Sequence, residues 1–248
     1  YQPAISGDGR YVAFTSLASN LVTGDNNGKL DAFLVDRNTS TTKRISVSSA
    51  GAQGNGPCYM PSVSDDGQKV AFDSAATNLL ADNGDTNGKR DVFVHNLSDG
   101  TTARVSLTEG GAESDGNSWH ASLTRAGTAV AFSSDATDLV GGDTNGVRDV
   151  FWRTLGQNAL GRASRTSLGV EGDGDSDQAS WNDAGTRVLF RTASTNLDRN
   201  DTDGGVRDIV LCHTAPGSPI CVSQAEHGLF KLLASDGAAD DNFGESVA

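Results

Sequence analysis

The chain has 248 residues, enough to bury a substantial core in one large domain or two ordinary ones. Nineteen basic residues against 32 acidic ones give a formal charge of −13, which argues against a nucleic-acid or anionic-membrane partner. No apolar run approaches the ~20 residues that span a bilayer, and 30 glycines without heptads point to strands and turns.

The chain begins at Tyr1 without an initiator Met, so it reads as a processed mature form or an excised fragment. In chain order, the first segment to matter is Ile5-Ser6-Gly7-Asp8-Gly9-Arg10-Tyr11-Val12-Ala13-Phe14, a short strand, a turn and a second strand. It returns as Val63-Ser64-Asp65-Asp66-Gly67-Gln68-Lys69-Val70-Ala71-Phe72 and again at 123–132 and 181–190. Phe14, Phe72, Phe132 and Phe190 are 58, 60 and 58 residues apart, so one unit is about 59 residues. The second strand is apolar at successive positions, a pattern that requires burial on both faces of a sheet.

Next comes Ser16-Leu17-Ala18-Ser19-Asn20-Leu21 with its copies, in which the Asn or Asp before Leu serves either as an oxygen ligand or as a cap. It leads into an acidic loop. The four versions are Asp25-Asn26-Asn27-Gly28-Lys29-Leu30-Asp31, Asp85-Thr86-Asn87-Gly88-Lys89-Arg90-Asp91, Asp143-Thr144-Asn145-Gly146-Val147-Arg148-Asp149 and, one residue longer, Asp201-Thr202-Asp203-Gly204-Gly205-Val206-Arg207-Asp208. Oxygen side chains at the first, third and last positions, with a Gly for a sharp bend, form a pattern suited to a hard cation, which takes six to eight oxygens at about 2.3–2.6 Å. Asp, Asn and Gly also favour plain turns, but Asp at both ends of all four copies favours metal. The candidate ligands are therefore Asp25, Asn27, Asp31, Asp85, Asn87, Asp91, Asp143, Asn145, Asp149, Asp201, Asp203 and Asp208, for up to four Ca2+ ions.

The third strand starts at the last Asp of each loop: Asp31-Ala32-Phe33-Leu34-Val35, Asp91-Val92-Phe93-Val94, Asp149-Val150-Phe151-Trp152 and Asp208-Ile209-Val210-Leu211. The fourth is read at Arg44-Ile45-Ser46-Val47, Arg104-Val105-Ser106-Leu107, Arg165-Thr166-Ser167-Leu168 and Cys221-Val222-Ser223. Four antiparallel strands per unit make the blade of an all-β propeller. One domain over 1–248 is expected, with repeats at about 1–58, 59–118, 119–176 and 177–242, an insertion at Leu229-Phe230-Lys231-Leu232-Leu233, and an extra first strand at 243–248. Four blades are expected in this chain, either closing a ring or forming part of a larger one.

The segments Ser64-Asp65-Asp66-Gly67-Gln68-Lys69-Val70-Ala71-Phe72, Asp91-Val92-Phe93-Val94 and Thr102-Ala103-Arg104-Val105-Ser106 resemble the repeats of TolB-like β-propellers, especially the bacterial secreted kind with a calcium-loop insertion. The third and fourth units have Arg125-Ala126-Gly127 and Asp183-Ala184-Gly185 in place of the second Asp-Gly pair, so different turns are expected there. The resemblance implies a propeller in an extracytoplasmic location (secreted, periplasmic or cell surface) and no single activity.

Other groups carry less. Cys212 and Cys221 flank Ala215-Pro216-Gly217-Ser218-Pro219 and are either a cross-strand disulfide or two buried thiols. His95, His120, His213 and His227 stand in unrelated contexts, and His120, beside Trp119, is either a rim residue or part of a mouth pocket. Tyr1, Tyr59 and Trp119 precede first strands and are either funnel lining or a sugar platform. Three Asn-x-Ser/Thr sequons, at Asn38, Asn96 and Asn200, match the N-glycosylation pattern and would be coincidence if the chain is bacterial. The favoured function is a calcium-stabilised, non-catalytic binding or scaffolding module for protein or glycan. The alternatives are a polysaccharide-active hydrolase or lyase at the ring mouth, and self-association through the terminal strand.

Overall fold

The computed structural model describes residues 3–81, 84–157, 159–166, 168–197 and 207–213. Within them the chain forms four antiparallel sheets in strict chain order. The first holds β1 (Ala4–Ile5), β2 (Tyr11–Ser16), β3 (Asp31–Asp36) and β4 (Thr41–Arg44). The second holds β5 (Cys58–Val63), β6 (Lys69–Ser74), β7 (Asp91–Asn96) and β8 (Thr101–Arg104). The third holds β9 (Ser118–Leu123), β10 (Ala129–Ser134), β11 (Asp149–Thr154) and β12 (Leu160–Arg162), and the fourth β13 (Ser176–Trp181), β14 (Arg187–Thr192) and β15 (Asp208–His213). Each sheet is a blade of a β-propeller. The expected strand Cys221-Val222-Ser223, the 229–233 insertion and the terminal strand 243–248 lie outside the described residues.

The first strands are the inner ones: β1 lies on β5, β5 on β9 and β9 on β13. β5, β9 and β13 are each joined to the blade before by a backbone bond, Cys58 N to Leu30 O at 2.8 Å, Ser118 N to Arg90 O at 2.7 Å and Ser176 N to Arg148 O at 2.8 Å. Apolar clusters fill the seams. Phe72, Val70 and Phe93 face the first blade with Ala13, Leu34 and Ile45, while Ala71, Val92 and Val94 face the third with Phe132, Val130 and Phe151. The unbroken apolar run of a second strand thus serves two seams, alternate residues going to opposite sides.

Two strand readings need correction. Fourth strands end at the Arg rather than start there, because Thr41–Arg44 and Thr101–Arg104 pair with the far ends of β3 and β7. In the third blade the equivalent Arg is Arg162, not Arg165. The segment Arg162-Ala163-Ser164 repeats Arg-x-Ser, and Arg165 instead bridges Glu171 as Val47 bridges Gln53 and Leu107 bridges Glu113. The tight turns do not differ as expected. Gly9, Gly67, Gly127 and Gly185 all sit at φ between 63° and 71°, each donating its N–H to the residue three before. That Gly carries the conformational demand, so the Asp before it is dispensable.

These turns meet at one end of the inner strands. Arg125 in the third-blade turn pairs with Asp183 of the fourth at 3.2 Å and lies 4.0 Å from Asp65 of the second. A Cβ added to Gly7 of the first blade would come within 2.9 Å of its guanidinium. A pocket of about 440 Å³ opens there, lined by Asp65, Asp66, Arg125, Ala126 and Asp183.

Candidate functional site

The acidic loops sit at the opposite end, where second strands finish and third strands begin. In each described loop the Asn and the last Asp are set alike. Asn27 Nδ2 donates to Asp31 Oδ2 at 2.9 Å and to Gly54 O at 3.0 Å, and its Oδ1 accepts from Lys29 N at 2.9 Å. Asn87 and Asn145 do the same toward Asp91 and Ser114 O, and toward Asp149 and Gly172 O. Ser46 Oγ and Ser106 Oγ donate to Asp31 and Asp91 at 2.5 Å, and Ser164 Oγ likewise to Asp149. The Asx turn and the Ser explain why Asp and Asn recur at these places: they fix the backbone that starts β3, β7 and β11.

The middle of each of the first three loops is occupied by the fourth-strand arginine. Arg44 Nη1 is 3.1 Å from Asp25 and 3.8 Å from Asp31. Arg104 is 3.6 Å from Asp85, 3.1 Å from Asp91 and 2.8 Å from Glu113, and also donates to Gly84 O at 2.7 Å. Arg162 is 3.1 Å from Asp143, 3.3 Å from Asp149 and 2.6 Å from Glu171. In the fourth loop Asp208 is buried at the start of β15, opposite Thr192, and Asp201 and Asp203 lie outside the described residues.

Glu113 and Glu171 escaped the sequence reading, as did the arginines. A positional signal exists: Gln53, Glu113 and Glu171 each stand 22 residues past the last Asp of their loop, and Arg44, Arg104 and Arg162 each stand 13 past it. The glutamates reach back to clamp the loop, Glu113 accepting from Thr86 N at 2.7 Å and Thr86 Oγ1 at 2.6 Å, and Glu171 likewise from Thr144. Those bonds hold Glu113 down to about 2. Burial drives Asp85 and Asp143 the other way, to about 6, helped by the neighbouring Asp91 and Asp149.

Against one guanidinium, the three carboxylates of the second and of the third loop leave a formal surplus of two negative charges. Both oxygens of Asp85 are buried with no hydrogen-bond donor among the described residues. Among the described residues no three Asp, Glu, His or Cys side chains come close enough to hold a metal as they stand. The donors are all hard oxygens and the surplus equals one divalent cation, so the residues fit Ca2+ provided that it shares or displaces the arginine. The Asn or Asp before Leu is placed elsewhere. Asn78 accepts from Asn55 N at 2.9 Å and donates to Gln53 O at 2.8 Å, fastening the connection to the next blade.

A second cluster lies at the same end, on the inner strands. Each of β5, β9 and β13 has a bulge, at Met60, His120 and Gln178, with φ of 46°, 56° and 54°. The bulge turns the preceding residue, Tyr59, Trp119 or Asp177, beside the residue that ends the loop before the next third strand. Arg90 lies over the Tyr59 ring at 4.2 Å and pairs with buried Asp73. Arg148 lies over Trp119 at 4.8 Å and reaches Asp177 at 3.0 Å. Arg191 and Arg207 join the same Asp177 at 2.8 and 2.9 Å. His120 donates its backbone N–H to Asp73 at 3.1 Å, while its Nδ1 is buried without a partner among the described residues, as is Ser133 Oγ across the same bulge. Burial, with Arg90, Arg148 and Arg191 nearby, lowers the imidazole to about 4 despite Asp177, so it is neutral at pH 7.

The other candidates are simpler. Tyr1 lies outside the described residues. His95 Nδ1 is 2.9 Å from Thr102 Oγ1, and that hydroxyl donates to Val47 O, so it accepts from the imidazole and the pair is no nucleophile and base. The side chain of His213, all of His227 and the expected disulfide partner Cys221 lie outside the described residues; Cys212 is buried, and Cys58 is a buried free thiol.

The fold is similar to that of TolB from Acinetobacter baumannii, with 18% identity, a TM-score of 0.51 and 86% of this chain aligned to 40% of that one. A putative TolB from Agrobacterium tumefaciens aligns at 14% identity and a TM-score of 0.55 over 92% of this chain and 63% of its own. A structure from a study of two prolyl endopeptidases aligns at 15% identity and a TM-score of 0.50 over 95% and 29%. The chain thus spans 29 to 63% of the lengths of these proteins. No family model matches the sequence, and no curated protein matches it significantly. At such identities the likeness is one of fold: the chain has a TolB-like β-propeller fold. Among the described residues no helix is long and apolar enough to cross a membrane.

Proposed function

We propose that this TolB-like propeller is an extracytoplasmic, non-catalytic binding module whose acidic loops take up Ca2+ in competition with their arginines, stiffening the face that meets a protein or glycan. The observation that carries the reading is the formal surplus of two negative charges around Arg104 and again around Arg162, with the buried Asp85 lacking a hydrogen-bond donor among the described residues. A buried uncompensated carboxylate is costly, and a divalent cation removes that cost while binding only the folded chain. Asp85, Asp91 and Glu113 would hold one ion and Asp143, Asp149 and Glu171 another. The first loop, with Gln53 where the others have Glu, is the weaker candidate.

The test is thermal unfolding in chelator and in rising CaCl2, with MgCl2 as control. At a hundredfold excess over Kd each site adds about 2.7 kcal/mol, or ~5–11 °C for a chain of this size. Superimposable melts in chelator and calcium refute the reading.

A further inference from the structure

We propose that the inner-strand cluster around Trp119 and His120 is a binding site for an acidic sugar, a ligand carrying both a carboxylate and hydroxyl groups. This rests on the reading of the ring as a binding module but not on its calcium. In a chain of charge −13, four arginines, Arg90, Arg148, Arg191 and Arg207, gather around three carboxylates, the buried Asp73 and Asp177 and the exposed Asp135, which leaves one positive charge over. Their side chains keep 26 to 40% exposure, so each stays within reach of a ligand from solvent. Guanidinium is the side chain best shaped to take a carboxylate through paired N–H donors.

Two features favour a sugar acid over a peptide carboxylate, and a third marks the place as a ligand site. Tyr59 and Trp119 stand at the same bulge of neighbouring blades, rings fixed by Arg90 and Arg148, giving two partly exposed platforms in a row. That matches a polymer of repeated rings. His120, which stands between these platforms with its Nδ1 buried, is neutral and so offers no charge to an ammonium or carboxylate. The bulge residues hold positive φ in three blades, a cost of order 1–3 kcal/mol each that is characteristic of ligand sites.

The test is calorimetric titration of the full chain in chelator, so that calcium cannot bridge the ligand, with a short uronic-acid oligomer, the same oligomer with its carboxyls reduced, and an acidic peptide of equal charge. The uronate should bind, the reduced sugar should not, and added salt should weaken binding. Arg207→Gln, the most exposed of the four, should weaken it by about 10- to 100-fold, the value of one charge-assisted hydrogen bond. Trp119→Leu, checked for an unchanged melt, should weaken it as well. No uronate binding, equal binding of the reduced sugar, or unchanged affinity in Arg207→Gln overturns the site; tighter binding of the peptide overturns the sugar assignment. None of these results moves the calcium melt, so the two readings fail separately.

Discussion

Replacing Arg104 by Met keeps most of the apolar stem and removes the charge. The side chain is 4% exposed and its guanidinium lies 2.8 to 3.6 Å from Asp85, Asp91 and Glu113. Without it, three carboxylates face one another at the second loop and Gly84 O loses a donor. Removing one partner of a buried ion pair costs about 3–5 kcal/mol, because the charges left behind remain desolvated. At ~2–4 °C per kcal/mol for a chain of this length, the melt in chelator should fall by roughly 6–20 °C. The control is Arg10→Met. That pair, Arg10–Asp36 at 2.8 Å, has a 37% exposed arginine and belongs to the solvent-screened class that contributes little. Differential scanning calorimetry of both variants at neutral pH decides it. Equal, small shifts would mean that the guanidinium does not neutralise a buried acidic cluster, and the account of all three loops would fall with it. Calcium should restore most of the loss in Arg104→Met, and bind it more tightly than wild type, since the competing cation is gone.

Asp85→Asn removes surplus charge from two oxygens that have no donor, so its melt in chelator should match or exceed wild type while its calcium response shrinks; a lower melt with an intact response contradicts the charge count. Gly116→Ala would place a Cβ 2.4–2.6 Å from the backbone of Asp135 and Ala136, where nothing can give, and should cost ~1–3 kcal/mol or more by urea unfolding. Gly141→Ala meets nothing within 4 Å and serves as the neutral comparison. For His120, burial holds the folded imidazole near 4, below the ordinary 6.5, so the unfolded chain takes the proton first. Its contribution is full above pH 6.5 and is lost as pH falls toward 4, by roughly 3 kcal/mol. His120→Asn, which tolerates the φ of 56°, should lose less stability than wild type between those limits. Parallel pH profiles would show that the native state protonates His120 without cost.

The fold was legible because its signals are local and repeated. Apolar second strands such as Val70-Ala71-Phe72 state double-sided burial outright, and a period of about 59 residues turns four weak patterns into one strong one. The fourth strands were misplaced because Thr41-Thr42-Lys43-Arg44 carries no apolar alternation; its place is set by pairing with β3. The acidic loops were found but their interior was not. What fills it is an arginine two strands away, and a guanidinium among carboxylates leaves the same acidic spacing in a sequence as a metal does. The bulge cluster was half visible. Tyr59, Trp119 and His120 drew notice by position, but Asp177 and four arginines come from separate strands and loops, and only the bulges bring them to one place.

The seams between blades are built from interchangeable parts: one carbonyl before the third strand, one inner-strand amide, and a glycine against the backbone of the segment that follows the second strand. A protein jointed this way grows or shrinks in whole modules, since any unit presents the socket its successor needs. Duplication alone could lengthen it, with each new module free to swap a tyrosine for a tryptophan or aspartate at the inner edge. Diversity would then accumulate around the axis while the joints stay as they are.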